Sequence, residues 1–305
     1  MRTNLCAVVL AAGEGRRLRP LTDIRPKALC PVGNVPLLDL ALDRLRRLGL
    51  AGPADVAVNA CWLADQVVAH VADRAHLSVE PGSPLGTAGG VANLKDWIAG
   101  RPVLVGNADA YLAETSRFTT AGPASLAPRA RPEAGIDGLL AGWDGTTVRL
   151  LGVPTKPDDP YRFGDHRFAG FSLLPWSAVD PLVPEPSELV REVWRPAERA
   201  GRLEVIEFGG TYLDTGTPHD YLAANLHAAD PRGAGSLVDP AARVSGPVDR
   251  VVVGAGAVVE GSATRAVIWP GGYVGPAERL TDSIRVGRDL TVPATRPHRP
   301  SAHPA

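Results

Sequence analysis

Residues 10–33 read LAAGEGRRLRPLTDIRPKALCPVG and follow directly on the apolar run CAVVL. A short, continuous apolar run stopped by glycine is the pattern of a buried strand. Behind it come Gly13 and Gly15, then Arg16, Arg17, Arg19, Arg25 and Lys27. The spacing is not that of a dinucleotide-binding turn, because Leu18 stands where the third glycine would be. Nor does it contain the GxxxxGK[ST] of a P-loop. What remains is a glycine-rich turn after a strand. Its inward N–H groups can form an anion-binding nest, and arginine forks suit phosphate oxygens. The same residues alone equally suit a tight turn with solvated arginines.

Working outward, apolar patterning alternates between strand and helix. LCAVVL (5–10), DVAVN (55–59), 77–80 and PVLVG (102–106) read as strands. PLLDLALDRLRRLG (36–49) and WLADQVVAHVADR (62–74) read as helices, and 88–98 is weakly helical. This order predicts a mostly parallel, doubly wound, Rossmann-like α/β sheet with helices on both faces. Ligands of such sheets sit at the carboxyl ends of the strands, which is where the opening turn lies. An Ala/Pro/Gly-rich loop is expected at 119–135. A second α/β part follows from about 136 to 228, with FAGFSLL, a helix around 188–200, and a loop and helix in TYLDTGTPHDYLAANLHAA.

After a linker at 229–236 the helical period disappears. Short Val/Ile runs separated by glycine repeat at a spacing of 16: Val252, Ile268 and Ile284 align, as do Val258, Val274 and Leu290. Stacked β coils, a small parallel β-helix, account for this repeat, with an antiparallel meander as the alternative. The expected organisation is therefore a domain at 1–230, a coil domain at 237–292 and a disordered tail at 293–305.

Bulk properties restrict the function. The 305-residue chain is 45% hydrophobic with a formal net charge of -1. It lacks the basic balance of a broad nucleic-acid surface and any run long enough to span a membrane. Three cysteines without a CxxC indicate neither a disulfide framework nor zinc, and the cytoplasm is the expected compartment. Of 32 basic residues only Lys27, Lys95 and Lys156 are lysines. In so Arg-biased a chain, a retained lysine hints at a need for a compact ammonium. Two further features carry chemistry. Glu80-Pro-Gly-Ser-Pro-Leu-Gly-Thr-Ala-Gly-Gly90 could bring backbone close to a flat ligand, or be an ordinary helix start. Asp109 and Asp214 each follow a strand-like run, and either alone suits a cap or a turn. Two carboxylates meeting at one point can hold Mg2+ beside substrate phosphates.

In this order the motifs LAAGxGxRLxPLT…PK, LGTAGG, Asp after a strand, and DTGT closely resemble the sugar-1-phosphate nucleotidylyltransferases over about residues 5–228. The coil repeat resembles the left-handed β-helix tail of many members. The resemblance implies transfer of a nucleotidyl group from an NTP to a sugar-1-phosphate, releasing pyrophosphate. It implies that Leu10, Ala11, Ala12, Gly13, Gly15, Glu80, Gly86 and Thr87 bind the nucleotide. Arg17 and Lys27 are then the catalytic cations, Asp109 and Asp214 hold Mg2+, and Lys156 and Gly170 contact the sugar. LGTAGG is more similar to guanylyltransferases for mannose-1-phosphate and related sugars, the favoured expectation. FAG and VNACWLADQV are more similar to the branch containing N-acetylmuramate-1-phosphate uridylyltransferase, and an enzyme of that kind or another uridylyl- or thymidylyltransferase is the alternative. Phe168-Ala169-Gly170 stands where the family carries Asn-Ala-Gly, and Thr155-Lys156-Pro157 where it carries Glu-Lys-Pro. Gly106-Asn107-Ala108-Asp109 stands where members often carry Gly-Asp, and the departures at 107–108 and 155 support a second alternative, a regulatory paralogue that binds nucleotide sugar without turnover. Neither nucleic acid nor membrane is expected as a partner, and an exposed coil offers a surface for a homo-oligomer.

Overall fold

The computed structural model describes residues 4–113, 135–233 and 235–295. The loop expected at 119–135 lies almost wholly outside these residues, as does the expected tail beyond 295. The chain forms two compact units. The first comprises Met1–Glu14, Arg25–Cys30 and Pro36–Tyr212; the second comprises Gly15–Ile24, Pro31–Val35 and Leu213–Ala305.

The first unit is built on seven principal strands: β1 (Cys6–Leu10), β2 (Val56–Ala60), β3 (His76–Val79), β4 (Val103–Asn107), β5 (Val148–Pro154), β6 (His166–Leu174) and β7 (Leu203–Glu207). Their order in the sheet is β7-β5-β6-β4-β1-β2-β3. β1 pairs in parallel with β2 and β4, and β2 with β3. β7 is parallel to β5, whereas β6 runs antiparallel between β4 and β5. The expected largely parallel sheet is therefore present, with one reversed strand.

Strand alternation sorts the core onto two faces. Ala7, Val9, Val58 and Leu104 pack against Leu38, Ala41 and Leu45 of α1 (Leu37–Arg47) and Val67 and Val71 of α2 (Ala64–Val71). On the other face Cys6, Val8, Val103 and Val105 meet α3 (Gly86–Ala92), α4 (Lys95–Ile98) and α5 (Arg195–Arg199), the last preceded by a wider π-type turn over Val190–Trp194. α1 shows why its sequence is helical. Its apolar residues recur at helical spacing, and Arg44, Arg46 and Arg47 in the last turn complement the negative end of the dipole. Gly49 follows with a left-handed φ of 82°.

The second unit contains α6 (Pro218–Ala229). Thr217 caps it by accepting from the Asp220 N–H, and Pro218 occupies the first turn, where its missing N–H costs nothing. The coils comprise β8 (Leu237–Val238), β9 (Arg243–Val244), β10 (Val248–Val253), β11 (Val258–Val259), β12 (Ser262–Ile268), β13 (Tyr273–Val274), β14 (Arg279–Val286) and β15 (Leu290–Pro293). β8, β10, β12 and β14 stack in parallel in one sheet, and β9, β11 and β13 in another. Val251, Val253, Ala257, Val259, Ala266 and Ile268 fill the space enclosed.

The register differs from the expected 16-residue spacing. Val252 lies opposite Val267, and Val267 opposite Ile284, so successive coils advance by 15 and then 17 residues. The change occurs at a corner. Two residues join β11 to β12, whereas four, Gly275–Glu278, join β13 to β14. The Glu278 carboxylate accepts from the Gly275 N–H at 2.6 Å and closes this longer corner. Leu290 is not a coil position. It lies in β15, which runs antiparallel to β14 and pairs Leu290 with Val286. Pro293 ends that strand, and the Ala294 N–H donates to the Asp282 carbonyl. No helix among the described residues is long and apolar enough to cross a membrane.

Candidate active site

Because β1, β2, β3 and β4 are mutually parallel, their carboxyl ends share one edge of the sheet. Leu10, Asn59, Ser78 and Asn107 lie in register there. The chain continues from them into the glycine-rich turn, Glu80 and Asp109. This edge is where a doubly wound sheet presents ligands.

A buried relay ties two of these loops together. Asn59, 1% exposed, accepts from the Ala11 N–H at 2.7 Å and donates to Glu80 Oε1 at 2.6 Å. Glu80, 3% exposed, also accepts from the Leu85 N–H at 2.7 Å. Ala11 and Leu85 thus stand at the two ends of one hydrogen-bonded chain. Sequence reading placed Glu80 among nucleotide ligands and passed over Asn59. The available signal was a polar residue at the end of the apolar strand VAVNA.

Lys27, also at this edge, has a side chain 8% exposed and bonds Asp109 Oδ2 at 2.6 Å; the Asp109 side chain is 40% exposed. An ammonium this enclosed is retained at a cost in hydration, which its carboxylate partner offsets. Nearby, burial pushes the Cys30 thiol up to about 12, so it stays protonated. The odd lysine of the sequence and the aspartate after β4 are therefore brought together.

The glycines of LGTAGG have a packing cause. A Cβ on Gly86 would lie 2.4 Å from the Ser187 carbonyl oxygen, and one on Gly89 would lie 2.2 Å from that of Glu185. A Cβ on Gly90 would fall 2.7 Å from the Asn59 amide nitrogen. α3 therefore docks on the 185–189 segment by close backbone approach. The Thr87 hydroxyl donates to Glu188 Oε2 and accepts from the Leu189 N–H, both at 2.7 Å. Gly170 sits at an irregularity in the β5–β6 pairing, with φ 85°. Lys156 is exposed in the turn after β5. Leu10 accepts from the Ala108 N–H at 3.0 Å, Ala12 accepts from the Trp62 N–H at 3.4 Å, and Gly13 is exposed with open space around it.

The second unit holds the other motif pair. Gly15 adopts a left-handed φ of 62° and opens the short turn Arg16–Leu18. Its carbonyl accepts from the Leu18 N–H and the Thr22 hydroxyl. Arg17 lies 3.7 Å from Asp214, with side chains 69% and 36% exposed. The glycine of Asp-Thr-Gly-Thr makes room for this pair: a Cβ on Gly216 would lie 2.7 Å from the Arg17 guanidinium. Both motif aspartates are thus each paired with a motif cation.

Comparison with known proteins accords with this constellation. Residues 7–121 match the MobA-like NTP transferase domain. The N-acetylmuramate alpha-1-phosphate uridylyltransferase of Neisseria meningitidis is 38% identical over 185 residues, covering 58% of this chain and 68% of the relative. The enzyme of that name from Caulobacter vibrioides is 31% identical over 258 residues, covering 73% and 97%. The chain belongs to the sugar-1-phosphate nucleotidylyltransferases. For the fold alone, a solved structure named glucose-1-phosphate thymidylyltransferase, from Bacillus anthracis, superposes with a TM-score of 0.58 at 17% identity over 74% of this chain and 96% of that one. The relatives of this chain act on a nucleoside triphosphate and a sugar-1-phosphate.

Proposed function

We propose that the nucleotidyl group transferred is uridylyl. The two uridylyltransferase relatives exceed 30% identity with this chain. The guanylyl expectation rests on LGTAGG, and two of that motif's glycines are accounted for by backbone contact with residues 185–187. The observation that carries the catalytic reading is the enclosed Lys27–Asp109 pair at the carboxyl edge of the sheet.

A sugar phosphate is already ionised at neutral pH, so its oxygen needs no strong general base. It attacks the α-phosphorus in line, a new P–O bond forms, and the bond to the bridging oxygen of the β-phosphate breaks, releasing pyrophosphate. Positioning and charge neutralisation supply the rate. Lys27 neutralises the incoming phosphate or the α-phosphate, and Arg17 the leaving pyrophosphate. Residues 10–13 and 15 turn their backbone toward the nucleotide, and Lys156 and Gly170 face the sugar. Asp109 and Asp214 offer half-exposed carboxylate oxygens, hard donors of the kind Mg2+ takes. Among the described residues no group of three or more His, Cys, Asp or Glu could hold a metal, so phosphates and water would complete the set. A bound Mg2+ would add charge stabilisation at the phosphates. The stacked coils form the short left-handed β-helix expected of the tail, a reading supported by their two parallel sheets.

Pyrophosphate release measured with each NTP against a panel of sugar-1-phosphates tests this reading. UTP is expected to give the highest kcat/KM; a preference for GTP would assign guanylyl transfer.

A further inference from the structure

The Arg17–Asp214 pair, α6 and the coils belong to one compact unit. Within it α6 lies along β10, β12 and β14. On β10 and β12, Val252 and Val267 are buried and alternate with the residues that fill the column. Such an apolar surface holds a helix without fixing its register, because hydrophobic contact is non-directional. Hydrogen bonds buried within the contact do fix it. The Trp269 indole N–H, just after β12, donates to the Tyr221 hydroxyl of α6 at 3.0 Å, and that hydroxyl donates to the Pro31 carbonyl. Trp269 is 2% and Tyr221 0% exposed. Asn225, one turn further along α6 and buried, donates to the Tyr221 carbonyl at 3.0 Å and accepts from the Gly33 N–H at 3.1 Å. Asn34 donates to the Val253 carbonyl of β10 at 3.0 Å. The segment Pro31–Val35 is thereby fastened to α6 and to the coils together.

From Tyr221 to the charged pair is a short step. The Tyr221 N–H donates to the Thr217 carbonyl at 2.8 Å, the first bond of α6. The Thr217 hydroxyl donates to the Asp220 carboxylate at 2.6 Å and accepts from the Asp220 N–H at 3.2 Å. Between Thr217 and Asp214 stand Thr215, fully buried, and Gly216, on which a Cβ would crowd both Arg17 and Asp214. The Arg17 and Asp214 side chains are themselves well exposed, so their mutual attraction is screened by solvent. The placing of the backbone that carries them therefore matters the more.

The geometry points to Trp269 and Tyr221 as positioning residues for the transfer step. Through the first turn of α6 they hold the Asp214–Gly216 loop, and with it Arg17, in the arrangement that meets the departing pyrophosphate. Both are too deeply buried to touch substrate. The coils are then the mount of this charged pair and not an appendage. The inference rests on the roles proposed above for Arg17 and Asp214 and extends them to the residues that support the pair.

The test compares Trp269→Phe and Tyr221→Phe with Ile268→Val, all in the full chain. The first two keep an aromatic ring and remove a donor of the relay. The third shortens a column side chain beside Trp269 and leaves the relay intact. All three are expected to lower the unfolding midpoint. Only the relay variants are expected to lower kcat for pyrophosphate release, about tenfold, with KM for the sugar-1-phosphate unchanged, because a displaced charge is felt in the transition state. Assays run well below the midpoints with the NTP and sugar-1-phosphate that wild type turns over fastest. Wild-type kcat in both relay variants, or an equal fall in Ile268→Val, overturns the proposal. Hydrogen exchange needs no turnover and separates this outcome from failure of the transfer reading. The Leu18 N–H, bonded to the Gly15 carbonyl at 2.8 Å, and the Asp220 N–H are the reporters. Both should exchange about tenfold faster in Trp269→Phe and at the wild-type rate in Ile268→Val. That result supports the relay even if no NTP is turned over; unchanged exchange at both amides overturns it.

Discussion

Glu80→Gln distinguishes a residue that braces the site from one that touches substrate. The wild-type carboxylate accepts two short hydrogen bonds, from Asn59 at 2.6 Å and from the Leu85 N–H at 2.7 Å, while 3% exposed. Glutamine is nearly isosteric but offers one oxygen and one NH2. Whichever way the amide turns, it sets a donor against a donor. The substitution loses one hydrogen bond to a charged group, about 1.5–3 kcal/mol, and leaves a buried N–H unsatisfied, about 1–3 kcal/mol. Burying a neutral amide in place of a carboxylate returns part of that cost. A net loss of about 2 kcal/mol follows, equivalent to roughly a thirtyfold shift in a local opening equilibrium. Hydrogen exchange is the direct assay. The Leu85 and Ala11 amides, at the two ends of the relay, should exchange about 10–100-fold faster in the variant while amides in the middle of α1 do not change. KM for NTP should rise with them, because both loops border the proposed nucleotide site. Unchanged protection at both amides together with a raised KM would refute the reasoning and return Glu80 to direct nucleotide contact.

Other outcomes follow from the same geometry. Gly89→Ala puts a methyl 2.2 Å from a backbone oxygen that no rotamer can move, and should cost on the order of 2 kcal/mol or more, read as a lowered unfolding midpoint. Lys27→Ala and Asp214→Ala should each cut pyrophosphate release by well over tenfold, with the far-UV circular dichroism of wild type; near-normal turnover in either would count against its role. The three thiols should differ sharply. Burial pushes Cys6 up to about 11 and Cys30 up to about 12. The half-buried Cys61 is raised by burial and by the carboxylates of Glu80 and Glu14. One thiol should therefore react with a disulfide reagent in the native protein, faster as pH rises and the thiolate forms, and three after unfolding.

The elements that can be read from sequence are those whose signal is local. β1, α1, β2, β3 and β4 fall within one or two residues of where periodicity and glycine place them, while α2 starts two residues later and ends three earlier than expected. Lys27 was visible because arginine dominates everywhere else. Asn59 was not, because its importance depends on Glu80 lying across the strand end, a relation between residues 21 apart. The LGTAGG glycines had a visible pattern but an invisible partner, since residues 185–187 are remote in sequence. The coil spacing is an average: steps of 15 and 17 give a mean of 16, so a single period aligns Val252 with Ile284 but misplaces the middle position by one, Val267 standing where Ile268 is expected.

The antiparallel return of β15 has a bearing on how such a tail can change length. Hydrogen bonding to β14 occupies the side on which a further parallel coil would be laid. The stack is thus stoppered at that end. A longer tail, whether evolved or engineered, has to be made by inserting whole turns between β10 and β14, in increments of 15 to 17 residues that keep each valine over the one below. Deletions obey the same quantum. Removing a few residues from one coil would rotate every later side chain out of the enclosed column, whereas excising a full turn would leave the column shorter and intact.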